Sequence, residues 1–391
     1  MKDALARGFE AQFGATPDRF FSAPGRTELS GNHTDHQRGR VLAAAVNLDM
    51  VAAVKENDRN QIRVCSKGFP TNVIDLAVLE PIKEEENTTA ALIRGVAARF
   101  AQLGCRVKGF DVYMESTVLP GSGLSSSAAF EVLMGTIINH LFFEGKASQP
   151  EIAIIGQYAE NVFFGKPCGL MDQMASAVGG MVTIDFADPD HPKIKAVDFD
   201  FAACGHGLCI IDTRASHAEL TDEYAAITRE LKGISGYFGK EVLRQVDEGE
   251  FYAAMPALRE QFGDRAVLRA IHFFEENERV SQQVKALEEH DFDRYLTLMK
   301  ESGQSSFMNL QNVVPTGATC HQEVALSLAL CRKLLGNRGG YRVHGGGFAG
   351  TVQAFVPHDM LDGFQKGIDA VLGAGACHIL SIRKEGGIEM K

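Results

Sequence analysis

The stretch VLPGSGLSSSAAFEVLMG, residues 118–135, constrains this chain most. The segment before it, GFDVYMESTVL, alternates apolar and polar residues and predicts a strand ending at Leu119. The backbone then turns through Gly121 and Gly123, and a helix opens through Ser125, Ser126 and Ser127. Unpaired N–H groups and the positive dipole end make a helix start favourable for an anion. The lysine of G-x-x-x-x-G-K-[ST] is missing, so this is no Walker A loop. Two readings stay open from the residues alone. One is a serine N-cap after a glycine turn. The other is a phosphate-holding loop, with glycines admitting the ligand and hydroxyls adding donors or a magnesium ligand.

Further glycine clusters lie at GKPCG, VGG and HGGGFAG. The last matches G-x-G-x-x-G through Gly345, Gly347 and Gly350, but TVQAFVP follows it and reads as a strand. A dinucleotide fold needs a helix there, so the Rossmann reading fails. A glycine hairpin packed close to another backbone, or to a ligand, is what remains. In CGLMDQMASAVGG, Asp172 sits among apolar residues, where a helix cap, a buried pair and a catalytic carboxylate are all open. Near the start, APGRTELSGNHTDH packs Asn32, His33, Asp35 and His36 between an aromatic run and the apolar VLAAAV. Adjacent residues rarely all face one tetrahedral metal, so a metal centre is not the first reading of this cluster.

Elsewhere strands and helices alternate, giving a mixed α/β (α+β) class. Leu5, Phe9 and Phe13 form one stripe of an N-terminal helix, and TAALIRGVAARFAQLG is a helix closed by Gly104. Residues 219–298 are mostly helical. The end returns to strands at YRVHGGG, TVQAFVP and CHILSIR, with helices between them in a split β-α-β order of the ferredoxin-like kind. A boundary is expected near ADPDHPK, dividing the chain into residues 1–195 and 196–391.

The formal net charge of −11 opposes a nucleic-acid surface, which needs a basic footprint, and a polybasic membrane patch. Eight cysteines without a C-x-x-C pair, and a start without a hydrophobic signal core, suggest reduced thiols in the cytoplasm. No obligatory protein partner is evident.

Four motifs in this order, APGRTELSGNHTDH, LPGSGLSSSAA, CGLMDQ and GGGFAG, resemble those of the GHMP small-molecule kinases, and within them the galactokinase branch. The resemblance implies a ribosomal-S5-like N-terminal domain, a ferredoxin-like C-terminal domain and an active site between them. It implies ATP and Mg2+ as cofactors and a small sugar as substrate. The triphosphate would lie over Gly121, Ser122, Gly123, Leu124, Ser125, Ser126 and Ser127, with magnesium held by Ser127 and Glu160. Asp172 matches the family's catalytic base and Arg26 the arginine that faces it. Asn32, His33 and Asp35 would line the sugar pocket, with Tyr224 and the amide at Gly169 also on the sugar.

Three departures bear on substrate and nucleotide. Asn32 stands where the branch has a glutamate that reaches the sugar's C6 hydroxyl, His36 replaces a tyrosine, and Thr89 replaces a tryptophan on the nucleotide side. The late loop has Ala349 where glycine is usual. The expected activity is sugar 1-phosphorylation of galactose. A galacto-configured acid such as galacturonate is the alternative, because a neutral asparagine would not repel a C6 carboxylate. A sugar sensor without turnover is the alternative from another class.

Overall fold

The computed structural model describes residues 1–118, 124–166, 168–189, 191–216 and 220–391. Two sheets organise it. The first contains β1 (Arg19–Ser30), β2 (Arg40–Glu56), β3 (Gln61–Ser66), β4 (Asn72–Asp75), β5 (Phe110–Ser116), β6 (Met181–Asp185) and β7 (Lys193–Ala196). The second contains β8 (His206–Asp212), β9 (Gly340–His344), β10 (Thr351–Pro357) and β11 (Cys377–Leu380). A last short strand, β12 (Ile388–Glu389), returns to the first sheet and pairs with β1.

The first sheet runs β12-β1-β2-β5-β3-β4, with β6 on β2 and β7 on β6. The run VLAAAVNLDMVAAVKEN forms one long strand. The first part of β2 pairs with β6 and its later part with β5, so a single strand serves two branches of the sheet. Its alanines Ala43, Ala44 and Ala45 are fully buried because helices press on it, Met171–Val178 and Asp264–Glu288 among them. Small side chains permit that close approach. Helix Ser126–Phe142 is apolar all round, with every residue from Ala128 to Asn139 buried, which marks a central helix. The expected N-terminal helix spans Lys2–Phe13 and puts Leu5 and Phe9 against Val51 and Ala53.

The second sheet has the order β11-β8-β10-β9. Helices Glu323–Leu335 and Leu361–Leu372 pack on it, giving the β-α-β-β-α-β succession of a ferredoxin-like unit. Its first crossover is enlarged by the helices Thr221–Tyr237, Glu248–Phe262, Asp264–Glu288 and Phe292–Ser305. The change of sheet falls between β7 and β8, and β12 crosses back.

The two sheets meet along β1. The Gln353 amide on β10 donates to Thr27 Oγ1 at 2.7 Å and to the Glu28 carbonyl at 3.0 Å. On β9, His344 Nε2 lies 3.0 Å from Thr27 Oγ1 and accepts the Glu28 N–H at 3.2 Å. Side chains of β1 therefore stand at the junction of both halves. That seam holds the site.

Candidate active site

A cavity of about 290 Å³ opens at this junction. Arg26, His33, Asp35, Gly169 and Asp172 all line it, so five expected site residues converge on one space. A larger cleft of about 890 Å³ lies near Val197–Phe201 and Leu380–Lys384, but none of the expected site residues stands in its walls.

Asp172 lies in the first turn of helix Met171–Val178, where the dipole favours a negative charge. Arg26 Nε donates to Asp172 Oδ1 at 2.7 Å. The Ser125 hydroxyl donates to the other carboxylate oxygen. Burial works to raise the Asp172 pKa, but Arg26 and the Ser125 hydroxyl together outweigh it and hold the carboxyl below its ordinary value. The side chain still keeps 32% of its surface open, so the anion faces the cavity rather than disappearing into a buried pair. Burial likewise works against charge on Arg26, and the carboxylate beside it reverses that, leaving the guanidinium pKa raised.

Ser125 is the N-cap residue of helix Ser126–Phe142, yet its side chain makes no capping bond among the described residues. It adopts φ 53° and ψ 67°, a left-handed conformation costly for a side-chain-bearing residue, and spends its hydroxyl on Asp172. The simple serine-cap reading therefore fails at Ser125. Gly25 helps to bring these parts together: a Cβ there would lie 3.1 Å from the Leu124 carbonyl, which accepts the Arg26 N–H.

Ser127 and Glu160 are also neighbours, with Oγ and Oε1 3.4 Å apart. Two hard oxygen donors side by side suit a magnesium ion that keeps water and phosphate as its other ligands. Lys166 Nζ stands 3.6 Å from the same Glu160 oxygen. Beneath them the Gln173 amide donates to Glu160 Oε2 and to Glu131 Oε2, each at 2.9 Å. Burial, reinforced by Glu160, pushes the Glu131 pKa well up, so one carboxyl of this cluster holds its proton. Gly121, Ser122 and Gly123 of the expected phosphate loop lie outside the described residues; Leu124 and Ser126 are described at its exit.

Two residues expected on the sugar stand apart from the cavity lining. Asn32, expected to line the pocket, is fully buried beneath it. Its Nδ2 donates to the Gly345 carbonyl at 2.6 Å and to Glu28 Oε1 at 3.2 Å. Its Oδ1 accepts from Asn312 at 2.8 Å and Ser306 at 3.3 Å. All its hydrogen-bonding capacity is used inside the protein. Tyr224 does not line the cavity either. It packs edge-on against Phe348 and donates to the Gly347 carbonyl at 2.8 Å, holding the late glycine loop from behind.

That loop is a close-approach device. Gly347 has φ 78°, and a Cβ there would lie 2.1 Å from the Asn312 carbonyl, so only glycine fits. His33 Nε2 lies 2.9 Å from the Gly346 carbonyl, and burial lowers the His33 pKa to about 4, so the ring is neutral at pH 7. Asp35 approaches Gly169 closely, since a Cβ on Gly169 would lie 2.6 Å from Asp35 Oδ2.

Sequence reasoning missed Glu28, Lys166 and Cys168, which also line the cavity. A signal for Glu28 exists: it is two residues beyond Arg26 on β1, and alternate residues of a strand face the same side.

The fold and the site define a class first: a small-molecule kinase with paired α/β halves and a carboxylate–arginine pair between them. Residues 91–180 match the GHMP kinases N terminal domain, and residues 7–56 match the galactokinase galactose-binding signature. The chain is 32% identical over 367 residues to a galactokinase of Glaesserella parasuis, covering 92% of this chain and 90% of the relative. It is 32% identical over 370 residues to a galactokinase of Streptomyces coelicolor, covering 94% and 92%. The crystal structure of Lactococcus lactis galactokinase complexed with galactose superposes with a TM-score of 0.83 at 24% identity, over 100% of both chains. The chain belongs to the galactokinase family, and is a phosphotransferase that uses ATP and an alcohol acceptor.

Proposed function

We propose that this chain transfers the γ-phosphate of ATP to the anomeric hydroxyl of galactose. One observation carries the reading: the ionised Asp172, gripped by Arg26 and Ser125, faces a cavity of small-ligand size between the two sheets. The relatives from Glaesserella parasuis and Streptomyces coelicolor are galactokinases that match nearly the whole chain, and the Lactococcus lactis enzyme of the same fold is complexed with galactose.

In this reading Arg26 and Asp172 are the catalytic residues. Asp172 accepts a hydrogen bond from the attacking hydroxyl and takes its proton as the phosphoryl group moves. A carboxylate of lowered pKa is a weak base. A loose phosphoryl-transfer transition state demands little early proton removal, so orientation and late proton acceptance suffice. The Arg26 guanidinium keeps Asp172 ionised and faces the developing phosphoryl charge. Residues 121–127 would cradle the triphosphate. Ser127 and Glu160 would hold magnesium, which supplies charge neutralisation on the phosphates. His33, Asp35 and Gly169 would contact the sugar. Residues 1–195 would supply the catalytic and phosphate groups, and residues 196–391 the wall built from the late glycine loop.

The burial of Asn32 removes the argument for galacturonate that rested on an open asparagine. Phosphorus NMR of products from a panel of sugars with ATP and magnesium tests the proposal. The expected product is galactose 1-phosphate. ADP formation from no sugar in the panel, or phosphorylation at another carbon, overturns it.

A further inference from the structure

Glu28 is a further carboxylate in the wall of this cavity, beside Arg26, Asp35 and Asp172. It lies on β1 two residues beyond Arg26, on the same face, roughly 6.5 Å further along the strand. That separation is about the reach from the reacting hydroxyl of a pyranose to a substituent across the ring. Glu28 Oε1 is committed: Arg342 Nη2 and Asn32 Nδ2 both donate to it. Oε2 has no hydrogen-bond partner among the described residues and is not among the sealed, unpaired atoms of the interior. One carboxylate oxygen is anchored and the other is available to the cavity that Glu28 lines.

The anchor is rigid. Arg342 is fully buried on β9 and also donates to the Leu29 carbonyl at 3.1 Å and the Val343 carbonyl at 2.9 Å. Asn32 completes it, because only an amide can donate to Glu28 and Gly345 while accepting from Asn312 and Ser306. A carboxylate at position 32 would lose the bond to Gly345 and stand against Glu28. The carboxylate at 28 and the amide at 32 therefore form one coupled pair.

We propose that Glu28 is the specificity-determining carboxylate of the sugar pocket, accepting a hydroxyl on the far side of the ring through Oε2 and rejecting sugars with an acid group there. The inference rests on the sugar-kinase reading above. It moves the charge of the signature from position 32 to position 28, with Asn32 as its positioning partner. A hydroxyl donating to a carboxylate makes a strong bond, and a second carboxylate cannot make it and is repelled.

The test compares galactose, 6-deoxygalactose and galacturonate with wild type, Glu28→Gln and Glu28→Asp. Binding is read by calorimetry without ATP, and turnover by ADP release with ATP and magnesium. For Glu28→Gln, galactose affinity and KM should weaken about tenfold to a hundredfold, the range for a bond to a charged group, with kcat changed less. The preference for galactose over galacturonate should shrink by at least tenfold, and 6-deoxygalactose should suffer less than galactose. Glu28→Asp keeps a charge for Arg342 on a shorter side chain drawn back from the cavity, so it should fold and still weaken galactose binding. Should Glu28→Gln fail to fold for want of a partner to Arg342, Glu28→Asp and the wild-type binding ratios decide. A folded Glu28→Gln with an unchanged galactose-to-galacturonate ratio overturns the proposal, as does equal wild-type binding of the two sugars. Wild type that binds galactose selectively but releases no ADP overturns the kinase reading and leaves the role of Glu28 in selectivity supported.

Discussion

The two ends of the cavity are built differently. At the reacting end, Arg26, Ser125 and Asp172 all come from the first half of the chain and share one charge pair with an open face. At the sugar end, Glu28 and Asn32 are held by Arg342, Asn312, Ser306 and the Gly345 carbonyl, all from the second half. Charge at the reacting end is exposed to ligand and tuned by two neighbours. Charge at the other end is buried in the junction of the sheets, with only 4% of Glu28 open, so whatever that end binds is tied to how the halves are joined. Damage at the reacting end should cost rate, and damage at the sugar end should cost stability and selectivity.

The largest expected effect sharpens the first half of that contrast. Asp172→Asn should lower kcat by about 10² to 10⁴-fold, the usual range for a general base, while galactose still binds and the fold survives. Steady-state ADP release beside calorimetric sugar binding checks it. Near-normal kcat would make Asp172 structural and erase the difference between the ends.

Breaking the other end should act on the fold. Arg342→Met leaves the Glu28 carboxylate in the interior with only Asn32 as a partner, and loss of one member of a buried pair costs about 3 to 5 kcal/mol. The urea midpoint of unfolding should fall clearly, and Glu28→Gln added to Arg342→Met should recover part of it. An unchanged midpoint in the single variant would show that the junction does not depend on this pair.

Acid supplies the mildest probe. His33 has its pKa lowered to about 4, and burial also lowers those of His272 and His344, both on the junction side. The unfolded chain takes up protons near the ordinary histidine value of about 6.5, while the folded chain refuses them until lower pH. Their contribution is therefore intact above that value and is lost progressively as pH falls through it toward about 4 for His33. Glu276, lowered to about 2 by Arg279, Arg342 and the Ser302 hydroxyl against the pull of burial, adds loss of the same sign once pH drops below the ordinary carboxylate range. Glu131 and Glu28, raised by burial, act in the opposite sense, so the check is a comparison: the fall in urea midpoint from pH 7.5 to 5.0 should be smaller in His33→Gln than in wild type, and an equal fall would mean that this ring is not held neutral.

Local pattern accounts for most of the elements that were legible. Alternation predicts β5, and the turn from strand to helix at residues 118–127 is written in glycines and serines. The late strands and their helices follow the ferredoxin-like order because each element's period is a property of a few neighbouring residues. Motif resemblance, rather than period, singled out Arg26 and Asp172, which lie 146 positions apart. What stayed illegible is long-range. Arg342 and Glu28 are 314 positions apart, and a lone arginine in YRVHGGG carries no mark of its partner. Asn32 was expected in the pocket because the motif resemblance implies it, whereas its amide is consumed by four partners in the interior.

By itself, the sequence determined a mixed α/β chain and a turn of glycines and serines that leads from a strand into a helix. Those are matters of residue type and short spacing, which chain geometry converts directly into strands, turns and helix ends. Only the tertiary structure decided which of the polar side chains of this segment meet the cavity. Whether position 28 or 32 points into the cavity depends on the seating of β9 and the late glycine loop against β1, and burial of a charge is settled by the partners that this packing brings within hydrogen-bond reach.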